Sequence, residues 1–265
     1  VVRKKVLSLK FWENLSLKPM ETYLPFTICP QPTETTCGPT CLHAVYNYYN
    51  DSISLDRVIN EVTTLDNGGT LAVFLACHAL ACGYKATIYT YNLQVFDPTW
   101  FSSGVQEDDI RSRLELQASV KTDSKLRAAT SGYLEFLERG GIIKFRDLSP
   151  SLIRKYLKKG IPIITGLSST YLYGCAREHP ITSIEDPIGG YPAGHFVVLY
   201  GYNKGEKIIS VAEPLDSNPL GMGQYYNVKL EKVICSILLG ILTYDANLLV
   251  IEKFEESHAK SDSGQ

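Results

Sequence analysis

The hydrophobic pattern of the 265-residue chain changes period at Gly140-Gly141, and that break constrains the fold more than any other feature. Before it, apolar residues recur at helical spacing; after it come short β-branched and aromatic runs bounded by glycine and turn residues. In the first half, Ser54 is placed to cap "LDRVINEVTT" and Thr70 to cap "LAVFLACHALAC", which Gly83 ends. "YKATIYTYN" reads as a strand, and "EDDIRSRLELQASV" and "SKLRAATSGYLEFLERGG" as helices. In the second half "GIIKFR", "IPIITGLSSTYLY", "GHFVVLYGYN", "EKIISVAEP" and "LTYDANLLVIEK" read as strands. Helices interrupt them at Ser149-Pro150 and across "LEKVICSILL". The expected class is α+β, with a sheet of antiparallel type.

Several functions are disfavoured by composition. A net charge of −2, with both signs well mixed, provides no field to gather nucleic acid or an anionic membrane. No apolar run approaches the roughly 18 residues that a membrane span needs, and the first residues lack the apolar centre of a signal peptide. Seven cysteines, an odd number at irregular spacing, read as reduced thiols, so the expected location is cytoplasmic. Cys77, His78 and Cys82 do not form a zinc set, because positions five apart on one helix do not share a face. Neither metal nor cofactor is expected.

The chemistry concentrates around Cys37 in "QPTETTCGPTCLHAVYNYY". Cys41, Ala44, Val45 and Tyr48 follow at helical spacing, and Pro39 suits a first turn, so Cys37 should open a helix. Unpaired N–H groups and the macrodipole at such a start favour a thiolate. Cys41, one turn on, belongs to the core. Of the five histidines, His195 alone heads a strong strand, "GHFVVLYGYN", after a glycine-rich loop. His43, His78 and His179 read as structural or solvated, and His258 as part of the tail. A three-residue loop, Asn203 to Gly205, would put His195 directly opposite Glu213, close enough for a carboxylate to orient the ring. A slip of one residue would remove that carboxylate. Gln31 supplies an amide donor for an oxyanion beside the Cys37 N–H. Glu185-Asp186 reads as a solvated turn, or alternatively as a cleft wall selecting basic substrates, and the many tyrosines as packing groups.

Gln31, "TTCGPTCL" with Cys37, and "GHFVVLYGY" with His195 followed by an acid and a proline together resemble the papain-like cysteine peptidases. Within them the chain is most similar to the bacteriocin-processing, double-glycine leader peptidases. The resemblance implies a two-lobed fold, and with the pattern along the chain it gives one domain over 1–265: an extended arm to 30, a mainly helical lobe over 31–141, a mainly antiparallel β lobe over 142–255 and, read from its composition, a flexible tail over 256–265. It implies Cys37 as nucleophile, His195 as base, the acid as orienter and Gln31 as oxyanion donor, acting on a peptide or protein substrate. Where that family carries aspartate before proline, this chain has Glu213-Pro214, and Asp216 is the alternative orienter. The competing readings are a catalytically silent peptide-binding module of the same fold, or acyltransferase or transglutaminase-like amide chemistry.

Overall fold

The computed structural model describes residues 22–66, 68–102, 104, 107–179, 182–221 and 223–254. The expected tail with His258, and residues 1–21 of the arm, lie outside them. The fold is α+β.

Among the described residues eight strands make one sheet. In chain order these are β1 (Thr22–Tyr23), β2 (Tyr84–Thr90), β3 (Ile142–Lys144), β4 (Ile163–Ser168), β5 (Gly194–Asn203), β6 (Ile208–Ala212), β7 (Tyr225–Lys229) and β8 (Asn247–Lys253). The sheet runs β3-β2-β8-β4-β5-β6-β7, with β1 paired to the far end of β5. All pairs are antiparallel except β2 with β3. Thus β2, the strand read inside the helical half, joins the sheet directly. Strand β4 is buried at every position and β5 at all but its first, so apolar cover lies on both faces there.

The helices are α1 (Cys37–Tyr48), α2 (Leu55–Glu61), α3 (Ala72–Ala81), α4 (Glu107–Val120), α5 (Ser124–Glu138), α6 (Pro150–Leu157), α7 (Ser169–Tyr173) and α8 (Leu230–Leu239). Ser54 and Ser149 cap α2 and α6 as their positions suggest, accepting from Arg57 N and Leu152 N, each at 3.3 Å. Thr70 does not cap α3. Its hydroxyl donates to Thr63 O at 2.7 Å, and the helix begins at Ala72 after Leu71. The run "STYLY" is helix α7 rather than the end of a strand: the Ser168 side chain accepts from Tyr171 N, and Gly174 stops the helix in the left-handed region.

Helix α1 packs on β5, and glycine makes the approach close. A Cβ on Gly38 would lie 2.6 Å from Thr70 Cγ2 and 3.3 Å from both Leu75 and Phe196. One turn deeper, the fully buried Cys41 thiol meets Phe196 O at 3.4 Å. These two contacts fix the start of α1 against the start of β5. Gly38→Ala should therefore cost about 1–3 kcal/mol of stability, read from urea unfolding, because the methyl overpacks this seam. An unchanged midpoint would mean that Thr70 moves aside freely.

Candidate active site

The first helical residue is Cys37, half-buried, and Thr36 precedes it without a side-chain cap on the first turn. The Thr36 hydroxyl turns back to Thr33 O at 2.9 Å, and Pro39 has no N–H. The first turn therefore presents the N–H groups of Cys37 and Gly38.

His195 is the second residue of β5, only 8% exposed. Its Nε2 bonds Glu213 Oε1 at 2.5 Å, and the ring also interacts with the Cys37 side chain, for which Nδ1 remains. Glu213 is fully buried and fully served. Oε1 also accepts from Leu215 N at 3.1 Å, while Oε2 accepts from Tyr173 Oη at 2.8 Å and Tyr226 Oη at 2.9 Å.

The register that brings the two together differs from the expected one. Pairing of β5 with β6 ends at Asn203 and Ile208, so the loop is Lys204–Lys207, one residue longer than expected. Past Gly201 this would set Glu213 on the wrong face. A bulge at Tyr200 restores the parity, and Leu199 pairs with Val211 and Val198 with Ala212. Carried one residue further, Glu213 lies opposite Val197, two residues from His195 and on the same face. Contact is diagonal rather than direct, and the extra methylene of glutamate helps to span it. The bulge is tied down by the arm, through Leu24 N to Tyr200 O at 3.0 Å and the Tyr23 and Phe26 rings against Tyr200.

Gln31 donates its backbone N–H to Pro214 O at 2.8 Å, next to Glu213. Its Nε2 donates to Thr33 O at 2.9 Å and keeps a second proton, and its Oε1 is buried with no partner among the described residues. Asp216, the alternative orienter, is exposed in the turn that follows. Asp186 caps its own turn, accepting from Ile188 N and Gly189 N, and Glu185 is exposed.

Burial opposes charge on both members of the pair, but each is held charged by the other. For His195, desolvation is outweighed by Glu213 and Cys37, which raise its pKa well above the ordinary value. For Glu213, desolvation is outweighed by His195 and the hydrogen bonds from His195, Tyr173 and Leu215, which lower it.

A second cysteine–histidine–glutamate row provides an internal contrast. Cys82 Sγ lies 3.6 Å from His78 Nδ1, and His78 Nε2 lies 3.1 Å from Glu61 Oε2. Here Cys82 is at the C-terminal end of α3, where the dipole opposes a thiolate. Burial raises the Cys82 thiol and lowers His78, and Glu61 is spread between Arg57 and His78 in solvent. The order of groups matches the His195 row, but His78 Nδ1 is shared with the Tyr46 hydroxyl at 2.8 Å, and burial lowers the histidine instead of the carboxylate raising it.

A cleft of about 320 Å³ opens over Cys37, with Glu34, Thr70, Glu178, Tyr191, Gly194 and Asp245 among its walls. Tyr173, Tyr226 and Asp245 are the site residues that the sequence reading missed. The tyrosines were read as packing, and Asp245 was hidden in an apolar run. All seven cysteines are free thiols. Among the described residues no helix is long and apolar enough to cross a membrane.

The profile of the Peptidase_C39 like family matches residues 143–234, a stretch that holds His195 and Glu213 and begins after Cys37. The chain resembles that family over this stretch. No curated protein matches the chain significantly. Among solved structures it is similar to a double glycine motif protease from an AMS/PCAT transporter in complex with the leader peptide, with 14% identity over 88% of this chain and 95% of that one, at a TM-score of 0.43. It is also similar to the peptidase domain of Streptococcus ComA, a bi-functional ABC transporter involved in quorum sensing, with 11% identity over 86% and 98%, at 0.40. Xylellain, a cysteine protease from Xylella fastidiosa, is 16% identical over 88% and 86%, at 0.41.

Paired charges give stability a defined pH window. The raised His195 contributes stability that is whole below its unfolded value near 6.5 and is lost as pH rises through its folded value. The lowered Glu213 contributes stability that is whole above about 4.5 and is lost as pH falls through its folded value. Glu213→Gln should therefore cost about 3 kcal/mol between roughly pH 5 and 7, and the difference from the parent should shrink on both sides. Urea unfolding across pH reads this, and a difference independent of pH would refute the pairing.

Proposed function

We propose that the chain is a papain-like cysteine peptidase in which Cys37 attacks the peptide carbonyl, His195 carries the proton and Glu213 orients the ring. The observation that carries this reading is the buried His195–Glu213 pair, served by two tyrosines and a backbone N–H and set against a thiol at the first position of a helix. His195 Nδ1 takes the Cys37 proton, giving a thiolate beside an imidazolium. Attack forms the C–S bond and moves the carbonyl electrons to oxygen, for which the Cys37 N–H and the second Gln31 Nε2 proton are the proposed donors. Imidazolium then protonates the leaving amine as the C–N bond breaks, and water, deprotonated by His195, releases the acid from the acyl-enzyme.

Glu213 rather than aspartate suits this reading because the diagonal register needs the longer side chain. The Cys82 row does not, because its histidine is lowered rather than raised. The substrate is a peptide or protein that reaches the cleft over Cys37.

Cleavage of a peptide library, followed by mass spectrometry, tests the assignment. Cys37→Ala and His195→Ala should each lose at least about a thousandfold in kcat/KM, and Glu213→Gln about a hundredfold or more, with KM little changed. Full cleavage by Cys37→Ala would sink the nucleophile assignment. Equal activity of Glu213→Gln and the parent would remove the orienter.

A further inference from the structure

Two buried carboxylates stand near His195, and the chain treats them very differently. Glu213 receives four hydrogen bonds. Asp245 is nearly as deep, 6% exposed, yet among the described residues the donor set beside its carboxylate is the Thr243 hydroxyl. That hydroxyl has one proton, and Gly240 O competes for it at 3.1 Å. Lys125 and His195 are the cations that act on it, but the Lys125 ammonium bonds Thr243 O at 3.0 Å and lies over the Tyr244 ring, and His195 is paired with Glu213. A carboxylate buried with so few donors costs folding free energy unless something else serves it. Burial accordingly pushes its pKa to about 7, against the pull of Thr243, Lys125 and His195.

Its place says what that something is. Asp245 lines the same cleft as Cys37. Its Oδ2 comes so near Gly194 that a Cβ there would sit 2.1 Å away, so the carboxylate fills the side-chain space of the residue before His195. Glu34 and Glu178, on two different walls of this cleft, add negative charge. Burial and repulsion from Glu34 and Glu185 raise Glu178, so these walls repel one another across the opening. Tyr191 holds the Glu178 wall by a pair of backbone bonds, at 3.0 and 2.8 Å. A donor group with positive charge relieves both strains at once, because Lys125 is the one lysine or arginine among the wall residues, beside His179, Cys37 and Tyr191, and three carboxylates face it.

We propose that Asp245 is the specificity-determining residue of the cleft and receives a lysine or arginine side chain of the substrate, with Glu34 and Glu178 as an outer acidic collar. This rests on the reading of the cleft as the substrate site but not on turnover. The carboxylate accepts the ammonium or guanidinium protons that the protein does not supply, beside the nucleophile. Glu185-Asp186, the acidic pair evident in the sequence, lies outside the lining, so the selection falls to residues distant in sequence.

The test is binding to the Cys37→Ala protein, read by fluorescence anisotropy. The probes are short fluorescein-labelled alanine-based peptide amides carrying one lysine, one arginine or one norleucine. Lysine or arginine should bind at least about tenfold tighter than norleucine, and Asp245→Asn in the same background should abolish the difference. Glu178→Gln, on the wall and safe for folding, should reduce it about threefold, with the loss vanishing at high salt. Equal binding of all probes, or a preference untouched by both variants, overturns the proposal. If Asp245→Asn fails to fold, the Glu178→Gln salt series decides. Separately, a Cys37 in the parent protein that reacts no faster than Cys82, together with a retained lysine preference, would sink the peptidase reading and leave the specificity assignment standing.

Discussion

A charged pair sealed from water is expensive unless each charge is fully served, and the His195–Glu213 contact sets that requirement for the whole site. Removing both charges from solvent costs several kcal/mol per ion, so the surroundings must return it in hydrogen bonds. Tyr173 from α7, Tyr226 from β7 and the Leu215 N–H do so from three separate segments. None of them can shift without exposing or orphaning Glu213. The short helix after β4 and the last hairpin of the sheet are therefore coupled to the histidine.

The pair also depends on the parity of a hairpin. Two-residue periodicity decides which face of a strand a side chain occupies, and the four-residue loop by itself would turn Glu213 away. The bulge at Tyr200 restores it, and the extended arm before Cys37 holds the bulge. The same arm continues to Gln31, whose N–H bonds Pro214 O. One segment thus ties the register, Glu213 and the loop before Cys37 together. That connection gives the N-terminal stretch a structural role its composition does not reveal.

Much of this was legible in the residues because local signals agreed with the final packing. Cys37 with Pro39 marks a helix start, and "GHFVVLYGYN" is buried from its second residue on, as its apolar run suggests. The contact of His195 with Glu213 was also legible, but for the wrong register: counting the turn gave a direct pair, and the structure reaches the same partner diagonally. The bulge is held by contacts from Tyr23, Leu24 and Phe26, far off in the sequence, so no local pattern announces it. "STYLY" misled because tyrosine and threonine favour strands, although Ser168 and Gly174 were there as cap and stop. Asp245 escaped because its importance is the donors it lacks, which only packing shows.

Cysteine alkylation across pH tests the account most directly, because one chain carries two cysteine–histidine–glutamate rows in opposite settings, one at a helix start with a buried carboxylate and one at a helix end with an exposed carboxylate. Iodoacetamide labelling should be mapped at Cys37 and Cys82 from about pH 4 to 9, with His195→Ala alongside. The account predicts that Cys37 labels fastest, keeps labelling below about pH 7 and falls to the rate of an ordinary thiol in the variant, while Cys82 stays slow throughout. A Cys37 that follows the same profile as Cys82, or is indifferent to His195, would contradict it and leave a peptide-binding fold without a nucleophile.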